Sequence, residues 1–222
     1  MRRKSTGSAR AGMTAGLAWA CGLLLTSPGI AQADCAADFA DINHVKPGAG
    51  AYEVETRMSI TLPVMAGKTS PPAESNVVTQ VVPPKSFRVQ TRSAEVVIVS
   101  EGEASKGWVK TGDIWNDVPR EKLPDLLADA PTSSYFVTKG MANLRCDGTK
   151  TVDGKTYLTF VYDSVTNPGA QNPQSLQVTA YFDPATRRPA AGQVDGAVVG
   201  AQIHSTMTYR FDASIRIEPP GR

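Results

Sequence analysis

YEVETRMSITL, residues 52–62, sets Tyr52, Val54, Thr56, Met58, Ile60 and Leu62 in alternation with Glu53, Glu55, Arg57, Ser59 and Thr61. Successive side chains of a strand point to opposite faces, so this period of two predicts one long strand with an apolar and a polar side. At about 3.4 Å per residue the stretch spans roughly 35 Å, well beyond a usual strand of about 5–6 residues. A single wet face belongs to antiparallel sheets, because parallel ones are covered on both sides. A long sheet with one apolar face must curl or be covered to hide it from water.

Further strands are expected on the C-terminal side at 75–82, 86–92, 95–100 and 107–110. KGWVKTGDIWNDVP, residues 106–119, reads as a hairpin. A two-residue loop at Gly112-Asp113 places Lys110 opposite Trp115, with Trp108 on the same face. The period then changes. VPREKLPDLLADA, residues 118–130, gathers Leu123, Leu126 and Leu127 at helical spacing, with Pro124 near the helix start. Strands return at 135–140, 142–148, 154–164, 175–183, 190–196 and 205–217, with turn signals at Asp153-Gly154, Asn167-Pro168-Gly169 and Asp183-Pro184. On the N-terminal side, CAADFADINHV (35–45) forms a short helix with Phe39 and Ile42 on one face, ended by Pro47, Gly48 and Gly50.

The first 33 residues carry Arg2, Arg3, Lys4 and Arg10, an apolar run from Ala15 to Leu25, a helix-breaking Ser27-Pro28-Gly29 and the small-residue site Ala31-Gln32-Ala33. That sequence of parts is a secretory signal peptide cleaved before Asp34. Its apolar run falls short of the about 20 residues that span a bilayer, and no other segment reads as transmembrane. Cys21 is not read as a lipidation site, because the apolar run continues past it through Leu25 and Trp19 sits poorly in a lipobox. Residues 34–222 form one domain in a periplasmic or secreted location. Four of the 23 Lys and Arg lie in the leader, which leaves 19 against 21 Asp and Glu and a net charge of −2. No basic cluster then marks a nucleic-acid partner. Two cysteines follow the leader, Cys35 and Cys146, and in an oxidising compartment they pair. The bridge staples the N-terminal segment onto the middle of the fold.

Several stretches resemble the LolA/LolB/LppX group of bacterial periplasmic proteins. They are the late hairpin SLQVTAYFDPATRRPAAGQ (175–193), the closing TYRFDASIRIEPP (208–220), RCDGTKTVDGKTYLTFVYDS (145–164) and GDIWNDVP (112–119). The resemblance implies an α+β fold: a curved, mainly antiparallel sheet forming an open half-barrel, with short helices covering its concave face. That face is apolar in the group and holds acyl chains in its carriers. Carried to this chain, it implies a carrier or binder of a lipid, acyl chain or lipoprotein. The candidate lining is Tyr52, Val54, Met58, Ile60, Leu62, Phe87, Val89, Trp108 and Trp115. The two tryptophans fit either packing between sheet and helix or the wall of a lipid cavity, whereas a sugar platform would need more polar neighbours. The competing reading is an envelope-sensing or protein-interaction module whose helices fill the half-barrel.

No cofactor is implied. There is no C-x-x-C, and neither His44 nor His204 has a partner at metal spacing. G-x-S-x-G, Walker and H-E-x-x-H motifs are absent from the sequence, and no acid–base constellation stands out, so an enzyme is not expected. Intact-mass analysis of the protein exported by its host is expected to show the loss of residues 1–33. A retained leader or a diacylglycerol on Cys21 would overturn that expectation.

Overall fold

The computed structural model describes residues 28–63, 71–102, 104–128, 130, 132–166 and 174–221, with side chains from Asp34 onward in the first helix. The basic and apolar parts of the expected leader, Cys21 and the expected Asn167-Pro168-Gly169 turn lie outside the described residues.

The long strand forms as β1, Tyr52–Thr61, and sits at the centre of one open sheet. Five strands follow it in chain order to one edge: β2 (Ala73–Val82), β3 (Ser86–Gln90), β4 (Ala94–Glu101), β5 (Ala104–Thr111) and β6 (Ile114–Asp117). The other half holds β7 (Met141–Val152), β8 (Lys155–Thr166), β9 (Gln174–Phe182), β10 (Pro189–Val198) and β11 (Ala201–Phe211). The order is β6-β5-β4-β3-β2-β1-β11-β10-β9-β8-β7, and every pairing is antiparallel. The fold is therefore an open half-barrel of the α+β class.

Face assignment follows from β1. Tyr52 and Val54 are buried inside the concavity, while Glu53 points outward and accepts from Gln80 Nε2 (2.9 Å) and Arg210 Nη2 (3.1 Å) on the flanking strands. The helix α1, Pro28–Asn43, begins at the proline, which suits a first turn. Phe39 of α1 inserts between sheet aromatics, its ring 5.1 Å from Phe160 and 5.5 Å from Tyr162. Cys35 is bonded to Cys146 of edge strand β7, with Cα atoms 5.6 Å apart. This bridge closes 111 residues of chain, worth roughly 4–5 kcal/mol in the chain-entropy model.

The two edges, β6 and β7, are consecutive in the chain, so the link between them has to cross the open mouth of the half-barrel. It does so as a 3-10 turn (Arg120–Lys122), a six-residue helix α2 (Leu123–Ala128) and an irregular crossing segment, residues 132–140. Here the expected strand at 135–140 is wrong. Tyr135 and Phe136 are adjacent yet both join the core, which a strand lying on one face cannot arrange. Outside the ladder, this backbone needs other partners. Three consecutive carbonyls find side chains: Tyr209 Oη donates to Tyr135 O (2.7 Å), Asn43 Nδ2 to Phe136 O (2.9 Å) and Tyr162 Oη to Val137 O (2.8 Å). Phe136 N–H donates back to Asn43 Oδ1 (2.8 Å), and Tyr135 N–H donates to Asn43 O (2.9 Å). Phe136 fits because Gly192 lies beneath it, where a Cβ would come within 2.5 Å of the ring.

The expected last strand, 205–217, is also corrected. The ladder begins earlier, at Ala201, and ends at Phe211. Asp212 then turns the chain by accepting from Ser214 N–H (2.8 Å), and Ile215 and Ile217 are buried outside the ladder. Asn43 is 3% exposed and serves two backbone groups at once. Asn43→Ala leaves both unsatisfied in the core, and the expected loss is about 2–4 kcal/mol in urea unfolding. An unchanged midpoint would show that the crossing segment is held by its aromatics alone.

Candidate functional site

The structure divides the nine expected lining residues into four groups. Tyr52, Val54 and Phe87 face inward but belong to the solid core. Met58, Ile60 and Val89 also face inward and are half-buried, with Met58 opposite Ser205 and Ile60 opposite Ile203. Leu62 lies past the end of β1 and is 54% exposed. The tryptophans require a correction. Lys110 does pair with Trp115 across the Gly112-Asp113 loop, its Nζ 6.0 Å from the ring centroid. Gly107, however, faces Leu123 of α2, so Trp108, Lys110 and Trp115 point the other way. Trp115 lies on the outer face with Lys110, whereas Trp108, although on the same side of the sheet, also borders the cleft between β5 and α2.

The outer face has its own cover. Val97, opposite Trp108, is 0% exposed although it points away from the core. After Asp212 the chain crosses this side, and Pro219 and Pro220 border a cleft of about 250 Å³ with Val99 and Trp108.

On the concave side, α2 is anchored by one buried residue, Leu123. It seats against Gly107 so closely that a Cβ there would lie 2.8 Å from Leu123 Cδ2 and 2.5 Å from Ile98 Cδ1. Leu126 and Leu127 are only half-buried. Clefts open on both sides of the helix. One of about 650 Å³ lies between β5 and α2, walled by Gly107, Val118, Leu123 and Leu127. Another of about 700 Å³ lies on the far side, walled by Val45, Pro83, Pro84, Leu127 and Ala128. A third, about 560 Å³, is bordered by Val109, Val118 and Leu126. Volumes of this order match small-molecule sites, which are concave and mostly apolar. Helical spacing marks the three leucines in the sequence, but it does not tell which one is buried; the glycine facing Leu123 decides that.

Burial is the largest influence on the tyrosines inside. It holds the Tyr209 hydroxyl well above its ordinary pKa, reinforced by neighbouring tyrosines, and raises Tyr52 and Tyr162 likewise. These hydroxyls stay protonated as donors. Among the described residues no three His, Cys, Asp or Glu side chains group as metal ligands, and no helix is long and apolar enough to cross a membrane.

Solved structures similar to this one include the lipoprotein LppX of Mycobacterium tuberculosis, at 14% identity and a TM-score of 0.39, covering 87% of this chain and 100% of that one. LprF of Mycobacterium bovis is similar at 13% identity and a TM-score of 0.45, with coverage of 87% and 98%. A LolA superfamily protein of Nitrosomonas europaea follows at 10% identity and a TM-score of 0.33, with coverage of 81% and 91%. No family model matches the sequence, and no curated protein matches it.

A side chain at position 107 competes directly with Leu123. Gly107→Val is expected to push Leu123 out and cost about 1–3 kcal/mol, read as a lower melting temperature. A variant as stable as the parent would mean that α2 is not anchored there.

Proposed function

We propose that this protein binds or carries an apolar ligand, the acyl chain of a lipid or lipoprotein, against the concave face beside α2. The observation that carries this reading is the incomplete cover. A six-residue helix held by one buried leucine leaves clefts of about 650 and 700 Å³ with apolar walls on either side. Apolar surface of that extent lowers its free energy when a ligand removes it from water, at about 25 cal/mol per Å². The leader and the pairing of Cys35 with Cys146 fit a site of action in the periplasm or outside the cell. The resemblance of the late hairpin and closing strand to the LolA/LolB/LppX group supports the same reading. Met58 and Ile60, half-buried on the same face, would extend the site beyond the crossing segment.

A second reading, an interaction module for an envelope protein, is favoured by one observation. The interior between α1 and strands β8 and β9 is filled by Phe39, Phe160, Tyr162 and Phe182. The two readings separate on titration with a fluorescent fatty acid, using protein purified without detergent. The carrier reading expects saturable binding, weakened about tenfold by Leu127→Glu, a change of about 1.4 kcal/mol. Loss through Met58→Trp instead would move the ligand beyond the crossing segment. No binding at micromolar probe, with no lipid in organic extracts, would overturn the carrier reading in favour of the interaction module.

A further inference from the structure

Beside the apolar cleft lies a smaller one of a different character, about 300 Å³ in volume, whose walls include Asp41, His44, Lys46, Tyr135, Arg187 and Arg188. It forms where the C-terminal end of α1 meets the β9–β10 turn. Asp183 builds that turn by accepting from Thr186 N–H (2.7 Å) and Ala185 N–H (3.1 Å). Arg187 stands at its tip with φ +54°, a conformation that sends the two arginines to different partners.

The charges of this cleft are unequally matched. Lys46 Nζ lies 2.9 Å from Asp41, and Arg187 pairs with Asp38 and reaches toward Asp41 at 3.8 Å. Arg188 has no such partner: among the described residues no carboxylate forms an ion pair with it. Its guanidinium instead lies over the Phe211 ring, 4.6 Å from the centroid. Stacking of that kind fixes the plane of the group while leaving its edge donors free, the arrangement in which arginine recognises a carboxylate or phosphate. Three permanent cations face two carboxylates here, and the surplus charge is the one already oriented. Tyr135 shares the wall, its hydroxyl raised by burial and drawn partly back by the Arg188 charge.

The placement adds the second half of the case. The 300 Å³ cationic cleft and the 700 Å³ apolar cleft beside α2 share His44, Lys46, Pro47 and Gly48 among their walls. An apolar trough thus adjoins a cationic pocket of headgroup size. We infer that the ligand is an anionic amphiphile, whose carboxylate or phosphate is received by Arg188 and Lys46 while its chain lies along Val45, Pro83 and Leu127. The inference rests on the proposed binding of an apolar ligand and names its polar end. A free carboxylate or phosphate would meet the same donors, so the source of the anion has to be tested separately.

The experiment compares three probes on the whole disulfide-bonded protein: a fluorescent fatty acid, the alcohol of the same chain and label, and inorganic phosphate. The acid is expected to bind about tenfold tighter than the alcohol at low salt, with the gap closing as salt rises. Arg188→Gln should erase the gap and leave the alcohol's affinity unchanged, which also shows that the variant is folded. Equal affinity of acid and alcohol for the parent protein overturns the anionic site while leaving apolar binding intact. If neither amphiphile binds, apolar binding itself fails, and phosphate decides the rest. Phosphate binding that Arg188→Gln abolishes supports a site for free anions, and no phosphate binding overturns the site.

Discussion

Three successive carbonyls, those of Tyr135, Phe136 and Val137, are held by side chains from three separate elements: Tyr209 of β11, Asn43 of α1 and Tyr162 of β8. Much else follows from that requirement. The sheet's edges are consecutive in the chain, so a stretch of irregular backbone must pass through the interior between them. Buried peptide groups without partners each cost about 1–3 kcal/mol, and a crossing segment has no ladder to supply them. Asn43 meets the demand most economically, serving one donor and one acceptor of the same residue with one amide. Its own position depends on Phe39 and Cys35 one and two turns earlier, so the aromatic cluster, the disulfide and the crossing segment form one connected unit.

That unit explains why the concave face is not uniform. Where α1 and the crossing segment lie on the sheet, large rings fill the space: Phe136 sits 5.5 Å from Phe182 and 5.3 Å from Tyr209. Toward β5 the cover thins to α2, whose single buried leucine relies on a glycine below it. One end of the half-barrel is thus a conventional core, and the other is a shallow trough with apolar walls. The basic turn at Arg187 and Arg188 stands where the first passes into the second.

Local and periodic chemistry made the sheet legible in the sequence. The alternation of residues 52–62, the Gly112-Asp113 loop pairing Lys110 with Trp115, and the pair Cys35 and Cys146 each express a rule that acts within a few residues or by elimination. The crossing segment expresses a rule of another kind. Asn43 is 93 residues from Phe136, and nothing near Tyr135 in sequence shows that its carbonyl is met by Tyr209. A run of apolar residues there looks like any other short strand. The tryptophans were hard to place for a related reason: alternation assigns Trp108, Lys110 and Trp115 to one face but does not say which, and Gly107 carries no side chain to reveal it. Ile215 and Ile217 keep an alternating pattern past the end of β11, although Asp212 has already turned the chain away. In the candidate site, the leucines of α2 were visible and the clefts beside them were not, because a cleft is a property of what surrounds the residues.

The central seam between β1 and β11 divides the sheet into two meanders, each built from hairpins between chain neighbours. Among the described strands, this is the one ladder that joins distant sequence, from Tyr52 opposite Phe211 to Thr61 opposite Gln202. Loop-closure entropy is set against such a pairing before its contacts are made, whereas hairpins close quickly and locally. The two meanders are therefore the natural early units of folding, and zipping the seam brings β11, with Tyr209, beside β1. The chain acquires its concave face at that moment, and with it the partners its buried crossing requires.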